Sequence, residues 1–294
     1  MLERAQANGA AALGKYPKGI QHMRKAFVGG NWKSNGDKAF ANDFTKNQLN
    51  AFVSTQKLVE VVVAPTNLHL TTVQDLLTDN ISVATQNISL TGKGAYTGEL
   101  AAEQVADLGI KYTLTGHSER RQLQKESDEV VAKKTKAGLE KGLTVILCIG
   151  ETLQEREAGK TDEVTSRQLM AVRKLVDAWS RIVVAYEPVW AIGTGKTATP
   201  DVAQAAHASI RAWLEENVSK DAAANVRVIY GGSVTEKNAA ELIAQPDIDG
   251  FLVGGASLKP AFADIVNACQ AHQEKQAKDV LGGGQSLFEA NYKY

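Results

Sequence analysis

Residues 143–186, LTVILCIGETLQEREAGKTDEVTSRQLMAVRKLVDAWSRIVVAY, place two short apolar runs, 143–149 and 182–186, on either side of a segment in which Val164, Leu169, Val172 and Val176 recur at helical spacing. Neither run alternates apolar with polar residues, so each reads as a strand covered on both faces. Strand, helix and second buried strand make one parallel crossover unit, because the helix carries the chain back to the edge it left. The same grammar recurs outward from this stretch, with short β-branched or apolar runs at 26–31, 58–64, 81–86, 111–115, 226–230 and 250–253. Helix-length segments lie between them. Phe40, Phe44, Leu49 and Phe52 have helical spacing, Thr235 precedes another helical stretch, and Pro200 with Asp201 opens one where proline suits the first turn. Eight such units in about 250 residues predict an α/β fold, a single closed (β/α)8 barrel. A doubly wound open sheet shares the local grammar but usually carries five to seven strands and a G-x-G-x-x-G fingerprint after the first. Here the first strand ends in Gly29-Gly30-Asn31-Trp32-Lys33, and that fingerprint is absent.

Both ends read as additions to this unit, giving an N-terminal extension over 1–25, the barrel over 26–273 and a C-terminal extension over 274–294. The last of these passes through Gly282-Gly283-Gly284 to an aromatic end at Tyr294. The 294 residues carry 33 basic and 33 acidic side chains, which leaves no field to steer the chain onto nucleic acid or an anionic membrane. No apolar run approaches the roughly 18 to 20 residues of a membrane span. Two cysteines, Cys148 and Cys269, cannot staple a chain of this size, which fits a reducing compartment. The first 25 residues hold Arg4, Lys15, Lys18, Arg24 and Lys25 against Glu3. They lack a secretory apolar stretch, so a cytoplasmic location is expected; the acid-poor composition keeps a mitochondrial or plastid transit peptide as the alternative.

In a barrel of this kind the loops after the strands form one rim, and reactive groups sit there. That filter selects Asn31 and Lys33 after the first strand, His117 after the fourth, Glu187 after the sixth, Ser233 after the seventh and Gly254-Gly255 after the eighth. Tyr230-Gly231-Gly232-Ser233 and Gly254-Gly255-Ala256-Ser257 follow the last two strands, where backbone N–H groups commonly hold a phosphate. Gly193-Thr194-Gly195-Lys196-Thr197 looks like a nucleotide-binding loop but fails on spacing, since the required upstream glycine falls on Trp190. It reads instead as a lid beside Glu187. Glu187 closes a very apolar strand and suits a general base in a site that loses water. His117 stands where a strand gives way to a helix, and a helix N-terminus disfavours imidazolium. Lys33 could neutralise a phosphate or form a Schiff base, and spacing does not separate the two. The five histidines are scattered, so no metal site is expected. An aldolase and a phosphate-binding protein without turnover are the competing readings.

Taken together, Gly30-Asn31-Trp32-Lys33, Gly116-His117-Ser118-Glu119-Arg120-Arg121, the segment 186–196 from Tyr186-Glu187-Pro188 to Gly195-Lys196, Tyr230-Gly231-Gly232-Ser233 and Val253-Gly254-Gly255-Ala256 closely resemble the triosephosphate isomerase family. That family is itself the standard example of a glutamate base beside a neutral imidazole and of a closing lid. The resemblance runs in order from about Ala26 to Gln273 and includes Leu147-Cys148-Ile149-Gly150-Glu151. It implies a TIM barrel that interconverts dihydroxyacetone phosphate and D-glyceraldehyde 3-phosphate, in glycolysis and gluconeogenesis, without metal or organic cofactor. Glu187 would be the base, His117 the neutral acid, and Asn31 and Lys33 would bind substrate and steady negative charge, with Glu119 in support. Gly193, Ser233, Gly254 and Gly255 would give backbone N–H groups to the phosphate, and the lid 188–198 would close over it. The resemblance also implies a homodimer, in which the loop 86–99 reaches a neighbouring subunit. Tyr96, where Phe is common, and Ser34 after the lysine depart from the family pattern.

Overall fold

The computed structural model describes residues 23–53, 58–78, 80–192 and 198–280. Eight parallel strands close into a barrel in sequence order: β1 Ala26–Asn31, β2 Val59–Ala64, β3 Ile81–Thr85, β4 Tyr112–Thr115, β5 Thr144–Ile149, β6 Ile182–Tyr186, β7 Arg227–Tyr230 and β8 Gly250–Val253. Closure runs through β1 and β8, with Val28 opposite Phe251 and Gly30 opposite Val253. The expected (β/α)8 barrel is therefore the observed architecture, and each strand lies within a residue of its expected bounds.

The apolar character of most strand positions has a direct cause in two separate cores. Phe27, Val62, Ala84, Leu114, Ile146, Cys148, Val183, Ala185, Ile229 and Leu252 fill the barrel interior. Their sequence neighbours, such as Val28, Val63, Val145, Leu147 and Val184, face outward into a second layer under the helices. Alternate residues of a strand point to opposite faces, so a strand covered on both is apolar at most positions, and the hydroxyls it buries are paired, Thr85 with Thr113 at 2.7 Å and Thr115 with Thr135 at 2.9 Å. Buried-area reasoning assigns each such Val, Leu or Ile about 1.5–3 kcal/mol, which is why the barrel holds without a disulfide; both cysteines are free and buried.

Helix starts follow local chemistry. Thr199 caps the helix Pro200–Asn217 by accepting from the Val202 N–H, and Pro200 occupies the first turn as expected. The spaced aromatics of the first crossover do not make one α-helix: Lys38–Phe44 passes into a π-helical stretch, Thr45–Leu49, before Asn50–Val53. The wider turn coincides with Phe40 stacking on Phe44 at 5.1 Å while both meet the edge of Trp32. The last helix, Ala261–Val280, runs past residue 273, with Gln273 and Ala277 buried. Residues 1–22 and 281–294, which make up most of the two expected extensions, lie outside the described residues.

His207, on the helix Pro200–Asn217, is fully buried between the rings of Tyr186 and Tyr230. Its Nδ1 donates to the Asp247 carbonyl at 3.2 Å, whereas Nε2 has no partner among the described residues. Burial pushes its pKa down to about 4, against the opposing pull of the Asp247 carbonyl and Asp249. Unfolded, the ring takes a proton near pH 6.5, so between about 6.5 and 4 the unfolded chain binds more protons and the fold loses stability as pH falls. That loss is expected to reach about 3 kcal/mol. Melting curves at pH 7 and 4.5 should show it, and the His207→Gln variant should lose less between the two; an identical loss in both proteins would remove His207 as the cause.

Candidate active site

The C-terminal ends of the strands bring together residues that are far apart in sequence. Asn31 ends β1, and its Oδ1 accepts the Lys33 N–H at 3.0 Å. Lys33 has a φ of 53°, a left-handed conformation that a non-glycine residue holds only when its surroundings enforce it. Its Nζ donates to Glu119 Oε1 at 2.5 Å. After β4 comes His117, the N-cap of the helix Ser118–Leu123, whose Nδ1 accepts the Glu119 N–H at 3.2 Å. After β6 comes Glu187, with a side chain 2% exposed.

Glu187 and His117 form the centre of this group. Glu187 Oε1 lies 3.0 Å from His117 Nε2, and Oε2 accepts the Ser118 N–H at 2.9 Å. Burial acts to raise the Glu187 pKa, but His117, the Ser118 N–H and Lys33 outweigh it and hold the carboxylate below its ordinary value. Burial likewise disfavours charge on the imidazole, while Glu187 and then Glu119 pull its pKa up from the usual histidine value. The hydrogen bond accepted at Nδ1 decides the tautomer of this arrangement: the ring carries its proton on Nε2 and donates it to Glu187.

These groups open into one cavity of about 500 Å³ lined by Asn31, Lys33, His117 and Glu187 on one side and by Ser233, Gly254 and Gly255 on the other. The glycines leave the cavity wall low. Among the described residues, a side chain on Gly255 would meet nothing within 4 Å, and one on Gly254 would touch only the end of Lys33 at 3.6 Å. Gly255 also begins the 3-10 turn Gly255–Leu258, and Gly254, Gly255 and Lys33 line the same space. Such a wall suits an anion. Asn31, Lys33, His117, Glu187, Ser233, Gly254 and Gly255 thus share one cavity; Gly193 and the rest of 193–197, the middle of the expected lid, lie outside the described residues. Among the described residues no cluster of three or more His, Cys, Asp or Glu side chains could hold a metal ion, and no helix is long and apolar enough to cross a membrane.

Four further contributors went unassigned in the sequence. Ser118 offers a backbone N–H, which any residue possesses. Gly150 lies directly under Glu187, where an added Cβ would sit 1.8 Å from the Glu187 carbonyl oxygen. Glu151, with no exposure, accepts from the Tyr186 hydroxyl at 3.0 Å and from Trp190 Nε1 at 3.1 Å, and Arg156 lies over the Trp190 ring. It ties the start of the lid segment, Val189–Ala191, to the end of β5. Gln86, after β3, donates to two backbone carbonyls beside Lys33. Only contact in three dimensions singles these residues out.

A sequence profile described as Triosephosphate isomerase matches residues 26–269. Similar curated proteins include the triosephosphate isomerases of Paracoccidioides lutzii, 55% identical over 247 residues, and Emericella nidulans, 53% identical over 247 residues; each match covers 83% of this chain and 98% of the relative. A protein of Oryza sativa subsp. japonica named "Triosephosphate isomerase, cytosolic" is 50% identical over 245 residues, covering 83% of this chain and 97% of the relative.

Proposed function

The chain belongs to the triosephosphate isomerase family and interconverts dihydroxyacetone phosphate and D-glyceraldehyde 3-phosphate; on that premise we propose that Glu187 and His117 carry the proton transfers. Glu187 takes the proton from the carbon beside the carbonyl. The C–H electron pair becomes the carbon–carbon double bond, and the carbonyl π pair moves to oxygen, giving an enediolate. His117, donating from Nε2, stabilises that oxygen and passes the proton between the two oxygens, and Glu187 returns its proton to the neighbouring carbon. Asn31 and Lys33 bind substrate and steady the developing charge. Ser233, Gly254 and Gly255 hold the phosphate through backbone N–H groups, joined by Gly193. The observation that carries this reading is the 3.0 Å contact between Glu187 and His117 in the cavity that the two glycine segments line. To reach a substrate carbon, the carboxylate must exchange the Ser118 N–H and His117 for the substrate. Closure of the segment 188–198 would then exclude water from the enediolate.

Each step is assigned to a group of the chain itself, so the reaction is expected to proceed without metal or organic cofactor. Lys33 is better placed to bind phosphate than to form a Schiff base, because its ammonium is engaged by Glu119. Enzymes of this family are typically dimeric, and we place the contact at the loop 86–99. Its Tyr96 is 51% exposed, and Leu123, 73% exposed, borders a second hollow of about 440 Å³ that shares Asn31, Lys33 and His117 with the active-site cavity. The base of the loop is held by Lys134, whose Nζ bonds Asn87 at 2.9 Å and the buried carboxylate of Glu126 at 2.6 Å. A coupled assay with EDTA present tests the chemistry, and serial dilution with sedimentation tests the dimer. Full activity in EDTA that falls as the dimer dissociates is expected. Activity lost to EDTA would overturn the metal-free chemistry, and a fully active monomer would overturn the interface.

A cytoplasmic location is proposed from the similarity to the Oryza sativa protein named cytosolic, with a mitochondrion or plastid as the alternative. Imaging of tagged full-length chain beside a version starting near Ala26 separates them, since organelle import of the full-length chain alone would overturn the first.

A further inference from the structure

We propose that Gln168 is a positioning residue for the base, its side-chain amide clamping Gly150 so that the end of β5 holds Glu187 in place. Gln168 lies on the helix Thr161–Arg173, in the crossover between β5 and β6, and is buried. Its Oε1 accepts the Gly150 N–H at 2.8 Å, and its Nε2 donates to the Gly150 carbonyl at 3.2 Å. A backbone N–H only donates and a carbonyl only accepts, so the amide orientation follows from the chemistry. One side chain thus answers both backbone groups of one residue, as the backbone of a neighbouring strand would. Neither flanking strand reaches Gly150: β4 ends at Thr115 opposite Leu147, and β6 pairs as far as Tyr186 opposite Ile149.

Gly150 is where the backbone of β5 meets that of Glu187. An added Cβ there would lie 1.8 Å from the Glu187 carbonyl oxygen, so the two segments touch backbone to backbone. The residues on either side of Gly150 are bonded to the same turn. The Ile149 carbonyl accepts the Glu187 N–H at 2.7 Å, and the Glu151 carbonyl accepts the Val189 N–H at 3.1 Å. Gln168 fixes this contact from behind. With Gly150 it lines a hollow of about 380 Å³ that Ser118 and Val189 also border. It does not line the active-site cavity, so its influence on substrate passes through Glu187. A methionine at 168 keeps the length of the side chain and loses both hydrogen bonds, and water from the hollow can then serve the Gly150 N–H and carbonyl. The barrel stays closed while the end of β5, and with it the Glu187 carboxylate, loses its fixed place.

The inference rests on the reading of Glu187 as the base, and kinetics in two backgrounds keep the two apart. Gln168→Met is expected to lower kcat for D-glyceraldehyde 3-phosphate at least about tenfold, since a misplacement of about 1 Å can cost ~10²-fold. KM and the inhibition constant of inorganic phosphate should change less than about twofold, because Ser233, Gly254 and Gly255 follow β7 and β8. In a Glu187→Gln background the base is already gone, and the same exchange should alter the residual kcat less than about twofold. Gln168→Asn keeps the amide one methylene shorter and reaches only one of the two Gly150 groups, so its kcat should lie between wild type and Gln168→Met. It also serves the comparison if the methionine variant does not fold. A merely structural Gln168 would lower activity only in proportion to the folded fraction seen by circular dichroism, or cost the same factor in both backgrounds, or weaken phosphate as much as kcat, and any of these results overturns the proposal. A kcat near wild type in Glu187→Gln alone would instead remove the reading of Glu187, and the proposal with it.

Discussion

Glu187→Gln is expected to lower kcat at least ~10²- to 10⁴-fold while the barrel stays folded, because the amide has the shape of the carboxylate but cannot accept a proton. The hydrogen-bond geometry adds a second consequence. Glu187 accepts from two donors at once, His117 Nε2 at 3.0 Å and the Ser118 N–H at 2.9 Å. An amide presents one acceptor and one donor, so one of those two contacts becomes a donor facing a donor. Moving the imidazole proton to Nδ1 would relieve it at one end and recreate it at the Glu119 N–H. The mismatch costs about 1–3 kcal/mol for the group left unpaired. It is partly offset because an ionised side chain no longer has to be buried. Steady-state kinetics beside a thermal melt check both parts. A kcat near wild type would remove Glu187 as the base, and an unfolded variant would mean that the carboxylate is needed to build the barrel.

The second large effect is expected from a residue with no chemistry of its own. Gly150 follows β5 with a φ of 154°, and a Cβ there would lie 1.8 Å from the Glu187 carbonyl oxygen and 2.6 Å from its carbonyl carbon. The obstruction is backbone, and neither side can yield easily. The Glu187 N–H is bonded to the Ile149 carbonyl at 2.7 Å, and Gln168 grips Gly150 through both its N–H and its carbonyl. Gly150→Ala must therefore push β6 away from β5 at the point where Glu187 leaves the strand. A destabilisation of about 4 kcal/mol is expected, or about 10 °C in Tm for a domain of this size, with kcat reduced about 10²-fold in the protein that folds. Gly159→Ala is the comparison. Gly159 is left-handed at a φ of 68°, but an added Cβ meets nothing within 4 Å, so it should show the backbone strain alone, about 1 kcal/mol. Equal melting temperatures for the two variants would rule out the clash with Glu187 as the cause.

The readability of the strands and the opacity of the site's supports have different physical origins. A strand buried on both faces is apolar at most positions, so 143–149 and 182–186 declare themselves from residue type, as β1 and β8 do, whereas β4 buries Thr113 and Thr115. The crossover helices were less legible. Phe40, Phe44 and Leu49 keep a helical rhythm into a π-helical insertion, because periodicity reports which residues face the core and not the hydrogen-bond ladder behind them. The chemical residues stand out because Asn31, Lys33, His117 and Glu187 stand at or just past the end of a strand, on the rim. Ser118, Gly150 and Glu151 act through a backbone N–H, a missing side chain and a buried carboxylate under Trp190, and those features have no distinctive spacing.

By itself, the order of residues determined the alternation of buried strand and helix, the closure of eight such units and the rim on which polar strand-end residues must meet. These follow from local periodicity and from the handedness of parallel crossovers, which need no knowledge of which atoms touch. The tertiary structure alone decided that Glu187 rests on His117 and the Ser118 N–H, which nitrogen of that ring holds the proton, and that Lys33 is pinned in a left-handed turn between Asn31 and Gln86. The bonds of Gln86 to Lys33, of Ser118 to Glu187 and of His117 to Glu187 join residues 53, 69 and 70 positions apart, and they depend on register and side-chain direction that only the closed barrel sets.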